Sequence, residues 1–300
     1  IPQIVVKLAK FLKTPSISYK AALLATNKHY MKKKFTQFNV NTPPYSLASE
    51  LEEIKTEFYR FNKVVVIKPL DQAGSRGVSL IKKEDDLKIA FELAKKSSNY
   101  SSVLIEKFLP GPQISTESIL LNGEIHTPGY ADRNYDDLET FLPQIMENGG
   151  TVPSLLTCKK GLVEEQILKA AESIGIKNGV VKGDVILSDN VPYVVEIAAR
   201  LSGGDFSESL VPLGLGVNYV EAVIKHSVGE AIEPADFKQR FNKAVANRYF
   251  FAPSGKLKNV GGVELVKNKH WVKKLDIWYS IGDVLPKINS HGSRTGVFVV

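Results

Sequence analysis

Asp184 and Glu196 are carboxylate residues in neighbouring apolar runs, and the polar, proline-containing sequence between these runs predicts a β-hairpin. A turn centred on Asn190 places Asp184 opposite Glu196 on one face of the hairpin. The same centre places Ile186 opposite Val194. Because facing like charges destabilise a hairpin, and because Mg²⁺ binds carboxylates together with waters and phosphates, the pair indicates a cation site. Two solvated acids on an exposed face, or a register shifted by one residue, are the alternatives.

A glycine-containing loop follows Lys68 and joins two predicted strands. Gly74, Ser75 and Gly77 lie in this loop, where glycine lets backbone N–H groups approach phosphate oxygens and the lysine supplies positive charge. It is not a Walker A loop, because no Gly-Lys-Ser/Thr sequence follows and no helix begins there. A kinase glycine-rich loop has the same general form, but the chain has no His-Arg-Asp catalytic loop and has Gly204-Asp205-Phe206 instead of Asp-Phe-Gly. An ordinary hairpin turn is the alternative.

Mixed α and β patterns surround these residues. Apolar residues at helical spacing follow Ser46, which we expect to be the N-cap of a helix that ends near Phe61. Ser49 and Glu52 then form a capping box within this helix. A long irregular segment, 132–157, precedes the later helices. The other predicted elements are strands at 63–68, 78–81 and 103–108, two strands within 115–131, helices at 84–96, 164–174 and 218–228, and short strands and turns from 247 onward.

Composition and charge limit the classes of protein. The 300 residues are 43% hydrophobic and 24% charged, as in a globular chain, and no apolar run approaches the roughly 20 residues of a membrane span. The chain has a single cysteine, Cys158, so an internal disulfide and a thiolate zinc cluster are excluded. No base partner for Cys158 is identified in the sequence, and we expect the thiol to be inert. The low cysteine content favours a cytoplasmic location. The net charge of +7 is dispersed apart from Lys32-Lys33-Lys34, which favours a small anionic ligand over nucleic acid.

Five segments, in this order, resemble the ATP-grasp superfamily and within it the carboxylate–amine ligases. The resemblance extends from about Asn27 to Glu230, and more loosely to the end of the chain. Each motif is common by itself, whereas five at the spacing of the family are much harder to obtain by chance. The segments are Thr26-Asn27-Lys28 with Asn41-Thr42-Pro43-Pro44, Val66-Ile67-Lys68-Pro69 with Gly74-Ser75-Arg76-Gly77, the hinge Val103–Pro112, the pair Asp184 and Glu196, and Arg200-Leu201-Ser202-Gly203-Gly204.

The resemblance implies roles for these residues. Asp184 and Glu196 would hold Mg²⁺, with Mn²⁺ as an alternative, and Arg200 would be the catalytic residue that holds an acyl phosphate. The residues that would bind ATP are Lys28, Lys68, Gly74, Ser75, Gly77, Glu106, Lys107, Leu109 and Gln113. Further candidates for substrate contacts, with structural or solvated roles as the alternative, are Glu117, His126, Asp132, Arg133, Ser202, Gly203 and Gly204.

Two positions depart from the family pattern. Relatives often carry Glu-x-Asn-x-Arg at the metal strand, whereas this chain has Ala198 in the asparagine position, so one amide oxygen is lost. Gln113 stands where many relatives place a carboxylate that holds the ribose hydroxyls, and its amide can still hydrogen-bond ribose.

For Arg200, a surface ion pair with Asp205 or Glu208 is the alternative role.

The resemblance implies an α+β fold of the ATP-grasp type, in which two α+β lobes clasp ATP and a small β-rich appendage follows. The corresponding division is 1–25 as the remnant of a preceding N-terminal α/β domain, 26–114 as the small lobe with its linker helix, 115–230 as the large lobe with the metal hairpin, and 231–300 as the β-rich C-terminal subdomain. We expect part of the substrate cleft to lie in the preceding domain.

The implied function is Mg²⁺-dependent ligation. A substrate carboxylate attacks the γ-phosphate of ATP to give an acyl phosphate and ADP, and an amine then displaces phosphate to form an amide or dipeptide-type bond. A bicarbonate-dependent carboxylase of the same superfamily and a non-catalytic ATP-binding module are the alternatives. The expected partners are small-molecule carboxylates and amines, with a homodimer left open, and neither nucleic acid nor a membrane.

Overall fold

The computed structural model describes residues 2–156 and 159–300, so the prediction for Cys158 lies outside the described residues. Within this part of the chain, no helix is both long and apolar enough to cross a membrane. The helices are α1 (Pro2–Leu12), α2 (Tyr19–Leu24), α3 (Lys28–Gln37), α4 (Leu51–Arg60), α5 (Leu87–Lys96), α6 (Leu138–Phe141), α7 (Lys160–Ser173), α8 (Val211–Leu215), α9 (Tyr219–Val228) and α10 (Val263–Lys267). The strands are β1 (Tyr45–Ala48), β2 (Val65–Pro69), β3 (Ser79–Ile81), β4 (Val103–Lys107), β5 (Gln113–Leu121), β6 (Glu124–Arg133), β7 (Gly150–Val152), β8 (Gly179–Ser188), β9 (Val191–Ala198), β10 (Val245–Phe250), β11 (Gly255–Lys256), β12 (Lys274–Ile277), β13 (Val284–Leu285) and β14 (Gly296–Val299).

The first four strands form a small antiparallel sheet in the order β1-β4-β2-β3. Helices α4 and α5 pack against this sheet because each has one apolar face. Ile54 and Phe58 on α4 and Phe91 on α5 are buried in one cluster with Val65 and Ile105 of the strands. Burial of such a side chain contributes about 1.5–3 kcal/mol, so the helices hold the sheet that carries Lys68 and Glu106.

The predicted helix from Ser46 to Phe61 is wrong at its start. Ser46 lies in β1, which pairs with β4, and α4 begins only at Leu51. The N-cap is Glu50, and the side chains of Glu50 and Glu53 each accept a hydrogen bond from the backbone of the other. The capping box is therefore shifted by one residue from the predicted one. The short sequence of β1 suits a helix or a strand, and pairing with β4 decides because it satisfies the backbone groups of β1.

The second lobe is built on an eight-stranded antiparallel sheet in the order β12-β14-β10-β7-β6-β5-β8-β9. Successive residues of a strand point to opposite faces, so each face needs its own cover. Leu120 on β5 packs in a cluster with α3 and α7, whereas the adjacent Ile119 packs in a cluster with α8 and α9. The sheet is therefore buried on both faces, which makes β5, β8 and β9 a rigid support for the side chains at their ends.

The segment 132–157, predicted to be irregular, contains α6 and β7. A strand of three residues such as β7 is too short to show a periodic pattern in the sequence. It pairs with β6 on one side and with β10 on the other, and thus joins the C-terminal strands to the large sheet. The tail is rich in short strands, as predicted, and β10, β12 and β14 extend the large sheet. The division of the chain into domains stays a prediction.

The carboxylate hairpin consists of β8 and β9, and Asp184 pairs with Glu196 as predicted. Asp189 and Asn190 form a two-residue turn, with φ angles of 51° and 64°. Positive φ at both positions is typical of a type I′ turn, which matches the twist of the strands and which Asp and Asn tolerate. The turn is therefore centred between these two residues and not on Asn190.

A β-bulge beside Asp184 brings the two carboxylates of the hairpin into the predicted register. Near the turn, Ile186 pairs with Tyr193, so the predicted pairing of Ile186 with Val194 is wrong. The register then shifts between Asp184 and Val185, where β9 contains one more residue than β8. This extra residue offsets the displaced turn centre and brings Asp184 to its predicted partner.

Candidate active site

A cavity of about 460 Å³ lies between the small sheet and the large sheet. Most of the site residues predicted from the sequence line it. These are Lys28, Lys68, Gly74, Ser75, Glu106, Lys107, Leu109, Gln113, Arg133, Asp184, Glu196, Arg200, Ser202, Gly203 and Gly204. Four predicted residues do not line this cavity, namely Gly77, Glu117, His126 and Asp132.

Glu196 faces Lys28, the first residue of α3. The Lys28 Nζ atom lies 3.1 Å from Glu196 Oε2 and donates a hydrogen bond of 2.6 Å to the backbone oxygen of Gln72. Burial by itself raises the pKa of the Glu196 carboxyl, but the ammonium groups of Lys28, Lys182 and Lys68 hold this pKa well below its usual value. Glu196 is therefore ionised at neutral pH and surrounded by positive charge.

Asp184 is held by two donors on adjacent strands. Ser115 Oγ on β5 donates a hydrogen bond of 2.6 Å to Asp184 Oδ1, and Lys182 Nζ on β8 forms an ion pair with Oδ2. Lys182 also lines the cavity, and the sequence analysis missed it. Its separation of two residues from Asp184 places both side chains on one face of β8, which is the signal that could have identified it.

Three buried charges form a chain in the wall of the cavity. Glu106 on β4 has one oxygen 2.7 Å from Lys68 Nζ and the other 3.0 Å from Lys32 Nζ. Lys32 also donates a hydrogen bond of 2.7 Å to Thr42 Oγ1. Burial lowers the pKa of Lys32 to about 8, although Glu106 acts in the opposite direction. Glu106 thus holds two lysines in position, and Lys32 was missed because it lies in a run of three lysines.

The glycine-containing loop between β2 and β3 covers part of the cavity. Gly74 and Ser75 line the cavity with φ angles of 67° and 57°. The backbone N–H of His291 donates a hydrogen bond of 3.1 Å to the Gly74 oxygen. Gly77, with φ of 69°, faces α5 instead, and a Cβ there would lie 2.7 Å from Ser97 Oγ. The loop is therefore fixed by close packing at one end and by the C-terminal region at its centre.

The connection between β4 and β5 contributes to the apolar part of the lining. Leu109 lines the cavity together with Val66 and Ile186, and with the polar residues Lys107 and Gln113. Gln113 is the first residue of β5 and pairs with Ile186 of β8. An amide side chain can both donate and accept hydrogen bonds. This part of the cavity therefore suits a planar, mostly apolar group with polar edges.

Arg200 and the glycine turn that follows it form another part of the lining. The Arg200 Nη1 atom donates a hydrogen bond of 2.7 Å to the backbone oxygen of Leu201. Within the described residues, Asp205 and Glu208 form their ion pairs with Lys274 and not with Arg200. The exposed guanidinium of Arg200 therefore keeps most of its donors for a ligand.

Glu117 lies behind the glycine turn. Its Oε1 atom accepts hydrogen bonds from Ser202 N and from Ser207 Oγ, both of 2.9 Å. Burial raises the pKa of the Glu117 carboxyl to about 7, against the smaller opposing effect of the Ser202 and Ser207 hydrogen bonds. Because Ser202 lines the cavity, Glu117 positions the turn from outside the cavity.

His126 and Asp132 make contacts away from the cavity. His126 stacks on Phe237, with ring centroids 5.8 Å apart, and lines a separate surface pocket. Asp132 accepts hydrogen bonds from Leu155 N, at 2.7 Å, and from Ser154 Oγ. Asp132 thus fixes the chain that follows β7.

A buried ionic cluster in the cavity wall contains Arg133, which was predicted from the sequence, and Glu147 and Arg294, which were not. Glu147 forms an ion pair with Arg133 and, at 3.0 Å, with Arg294. The guanidinium carbon of Arg294 lies 3.5 Å from the ring centroid of Tyr249. Burial alone would raise the pKa of the Glu147 carboxyl, but the two guanidinium groups hold it below its usual value. Spacing along the chain could not reveal the whole cluster, because Arg294 lies 147 residues from Glu147.

Comparison with known families agrees with the geometry of this site. A model of the ATP-grasp domain matches residues 25–204, and a model of the L-amino acid ligase C-terminal domain 2 matches residues 248–300. The first match covers more than half of the chain and contains both carboxylates. The chain belongs to the ATP-grasp family.

Curated relatives of this ATP-grasp chain include D-alanine–D-alanine ligases. The one from Trichlorobacter lovleyi is 27% identical over 179 residues, which are 59% of this chain and 56% of the relative. The one from Flavobacterium johnsoniae is 28% identical over 205 residues, which are 66% of this chain and 61% of the relative. The chain therefore spans less than two thirds of the length of these two relatives.

Solved ATP-grasp structures share the fold. The L-amino acid ligase from Bacillus licheniformis has a TM-score of 0.83 at 21% identity, and the match covers 99% of this chain and 72% of that chain. A carboxyaminoimidazole ribonucleotide synthase from Aspergillus clavatus has a TM-score of 0.76 at 14% identity, and the match covers 99% of this chain and 74% of that chain. At these identities the likeness concerns the fold alone, and it confirms the predicted α+β ATP-grasp architecture.

The donor set of this ATP-grasp site fits one divalent cation. Asp184 and Glu196 both line the cavity and are direct cross-strand partners. Among the described residues, no group of three or more His, Cys, Asp or Glu side chains is placed to hold a metal ion. Since Mg²⁺ is often bound through one or two carboxylates and completes its shell with waters and substrate phosphates, the pair fits this cation.

The raised pKa of Glu117 predicts a pH-dependent stability. The folded pKa of about 7 exceeds the usual value of 4.5, so the folded protein holds a proton that the unfolded chain releases between these values. The contribution of Glu117 to the free energy of unfolding is therefore complete below about pH 4.5 and lost as pH rises through 7. Relative to Glu117→Gln, the wild-type protein should lose on the order of 3 kcal/mol between pH 4.5 and pH 8.

Urea unfolding of both proteins at several pH values measures this difference. Glu117→Gln keeps the side-chain oxygen that accepts from Ser202 N and removes only the titration. Stability profiles that run parallel across this range would show that Glu117 does not titrate in the fold.

Proposed function

We propose that this ATP-grasp chain is the catalytic part of a Mg²⁺-dependent ligase that joins a carboxylate to an amine. The observation that carries the proposal is a single cavity lined by the carboxylate pair, Asp184 and Glu196, together with Lys28, Lys68 and Arg200. The ammonium groups of the two lysines, together with a Mg²⁺ ion that the carboxylate pair would hold, suit the phosphates of ATP, and the arginine suits an acyl phosphate. The names of the relatives, which are amino-acid ligases, support the same reaction class.

The proposed position of the nucleotide rests on the apolar part and the charged part of the cavity lining. We assign the adenine to the apolar part around Leu109, Val66 and Ile186, and the ribose to the Gln113 amide. The phosphates would then extend under the glycine loop, where Lys68 and Lys28 neutralise their oxygens, as does Mg²⁺ when bound at the carboxylates. Lys68 suits this role because its ion pair with Glu106 holds the ammonium group in one position.

The chemical steps use the residues at the other end of the cavity. A carboxylate oxygen of the first substrate attacks the γ-phosphorus of ATP, the bond to the β–γ bridging oxygen breaks, and ADP leaves. The amine then attacks the acyl carbon, the bond between this carbon and the phosphate oxygen breaks, and the amine loses a proton. Arg200 donates hydrogen bonds to the acyl phosphate, whose charge it stabilises most strongly in a site that excludes water.

The ionic cluster favours an amino acid as a substrate. Arg133, Glu147 and Arg294 place both signs of charge in the cavity wall. Oε1 of Glu147 and Nε of Arg294 are buried without a hydrogen-bond partner among the described residues. A molecule with an ammonium and a carboxylate group could supply the missing partners, because a buried polar atom is costly unless it is paired. We place the enzyme in the cytoplasm, where its small-molecule substrates and ATP occur together.

The experiment that tests the proposal is a coupled assay of phosphate release. The full-length protein is supplied with ATP and Mg²⁺ and screened against pairs of amino acids and, separately, against bicarbonate. We expect phosphate release that requires an amino acid, with formation of an amide product detected by mass spectrometry. Release that depends on bicarbonate alone would identify a carboxylase, and failure to bind ATP in calorimetry would contradict both readings.

Replacement of Lys68 tests the assignment of the phosphates. Lys68→Met keeps most of the side-chain volume and removes the charge, so we expect the dissociation constant for ATP to rise by about 10- to 100-fold, as for a lost hydrogen bond between charged groups. Calorimetric titration measures the change. Lys82→Met is the matched control, because the ion pair that Lys82 forms with Glu139 is exposed. An unchanged ATP affinity for Lys68→Met would place the phosphates elsewhere.

A further inference from the structure

Lys182 and Ala198 are cross-strand partners, and the next pair on the same face of the hairpin is Asp184 with Glu196. Side chains two residues apart on a strand share a face, so the four side chains form one patch. Lys182, Asp184 and Glu196 all line the cavity. The patch therefore presents two carboxylates, one ammonium group and one methyl group at the place where a divalent cation would bind.

Both oxygens of Asp184 already accept from the protein. Ser115 Oγ donates to Oδ1 at 2.6 Å, and Lys182 Nζ contacts Oδ2. Both members of the Lys182–Asp184 pair are largely buried, with side chains 15% and 11% exposed. Screening by water is weak at such a site, so the ammonium group repels a cation that approaches the same oxygen. Among the described residues, by contrast, Glu196 forms one ion pair, between its Oε2 atom and Lys28 Nζ at 3.1 Å.

Ala198 removes the other means of holding a second cation. Its methyl side chain lies opposite Lys182 on the shared face of the hairpin and supplies no oxygen ligand. Among the described residues no further acidic or histidine side chain joins the carboxylate pair to make a group of three. A second cation would therefore depend on the two shared carboxylates and on phosphate oxygens, next to a fixed positive charge.

We propose that the Lys182 ammonium group takes the place of one of two divalent cations that the carboxylate pair could share, so that the protein with bound nucleotide holds a single cation. The inference rests on the proposed function, because it assumes that ATP binds in this cavity. Glu196 and the remaining lone pairs of Asp184 hold the one cation. Lys182 supplies to the phosphates the positive charge that the second cation would have supplied.

The test counts bound Mn²⁺ in the presence of a saturating non-hydrolysable ATP analogue. The electron paramagnetic resonance signal of free Mn²⁺ gives the number bound per chain, and a calorimetric titration of the analogue gives the nucleotide bound in the same samples. The wild-type protein should bind one Mn²⁺ per bound nucleotide. Two variants should bind two Mn²⁺ ions per nucleotide, namely Lys182→Met, which keeps the carbon stem, and the double variant Lys182→Met with Ala198→Asn. In both, the second Mn²⁺ should bind at least about tenfold more tightly than any second ion in the wild type.

The control variant is Lys169→Ala, whose lysine forms an exposed ion pair with Glu165 on α7 and should leave the count at one. Two Mn²⁺ ions per nucleotide in the wild type would overturn the inference, as would a count of one in both Lys182 variants that still melt cooperatively and bind the analogue. Absence of analogue binding in the wild type would instead contradict the proposed function. The two failures are therefore distinguishable.

Discussion

The Glu196→Gln protein is expected to bind ATP and yet to release phosphate about 10²- to 10³-fold more slowly than the wild type, the loss typical when one group that stabilises transition-state charge is removed. Glutamine keeps the shape of the side chain and an oxygen atom, but it removes the negative charge that pairs with Lys28 and that would hold the cation. The binding of ATP should persist because Lys28, Lys68 and the apolar lining remain.

Phosphate release by the full-length protein with the proposed amino-acid substrates measures this effect, and calorimetry measures ATP binding in parallel. Glu165→Gln is the matched control, because this carboxylate lies exposed on α7 in an ion pair with Lys169. If the wild type and Glu196→Gln release phosphate equally slowly while both bind ATP, the chain is a nucleotide-binding module and not an enzyme. A large loss for the control would show that the assay reports general destabilisation.

The Glu147→Ala protein is expected to lose about 3–5 kcal/mol of unfolding free energy, the cost of removing one partner from a buried ion pair. Glu147 is 1% exposed, and the change would leave two guanidinium groups, those of Arg133 and Arg294, without their shared counter-charge. It would also weaken the contact between the segment before β14 and the loop preceding β7, because Arg294 Nη2 would keep only its hydrogen bond to the backbone oxygen of residue 147.

Urea unfolding at neutral pH measures this loss. Glu165→Ala is the surface counterpart, and its effect should be within about 0.5 kcal/mol because an exposed ion pair contributes little. Glu147→Gln should lie between the two, since the amide can still accept hydrogen bonds while the charge is lost. Equal stabilities of the Glu147→Ala and Glu165→Ala proteins would mean that the cluster does not hold the C-terminal strands in place.

Much of the fold could be predicted because its signals are local. The helix with Leu87 and Phe91 on one face, the strands β2, β3 and β4 of the small sheet and the carboxylate hairpin all show a periodic pattern or a characteristic turn. The errors occur where a short segment has two local solutions. Ser46 lies in β1, and β7 is a strand of three residues; in both cases pairing with a distant strand decides, and the sequence of the segment does not contain that information.

The candidate site divides in the same way. Asp184 and Glu196 were identified from the predicted hairpin and Lys68 from the glycine-containing loop that follows it, whereas Lys28 was assigned through the family resemblance. All four residues line the cavity. Glu117 was identified as polar and on a strand, but only the folded chain shows that it lies behind the glycine turn.

By itself, the sequence determined the family, the carboxylate pair and the residues expected to bind the nucleotide, because motifs and strand alternation are properties of neighbouring residues. Only the tertiary structure decided which further charges share the cavity. Lys182 became visible through its ion pair with Asp184. The ion pair of Glu147 with Arg294 joins residues that are 147 positions apart in the chain. The physical reason is that burial and Coulomb interactions depend on distance in space, which folding sets and sequence separation does not.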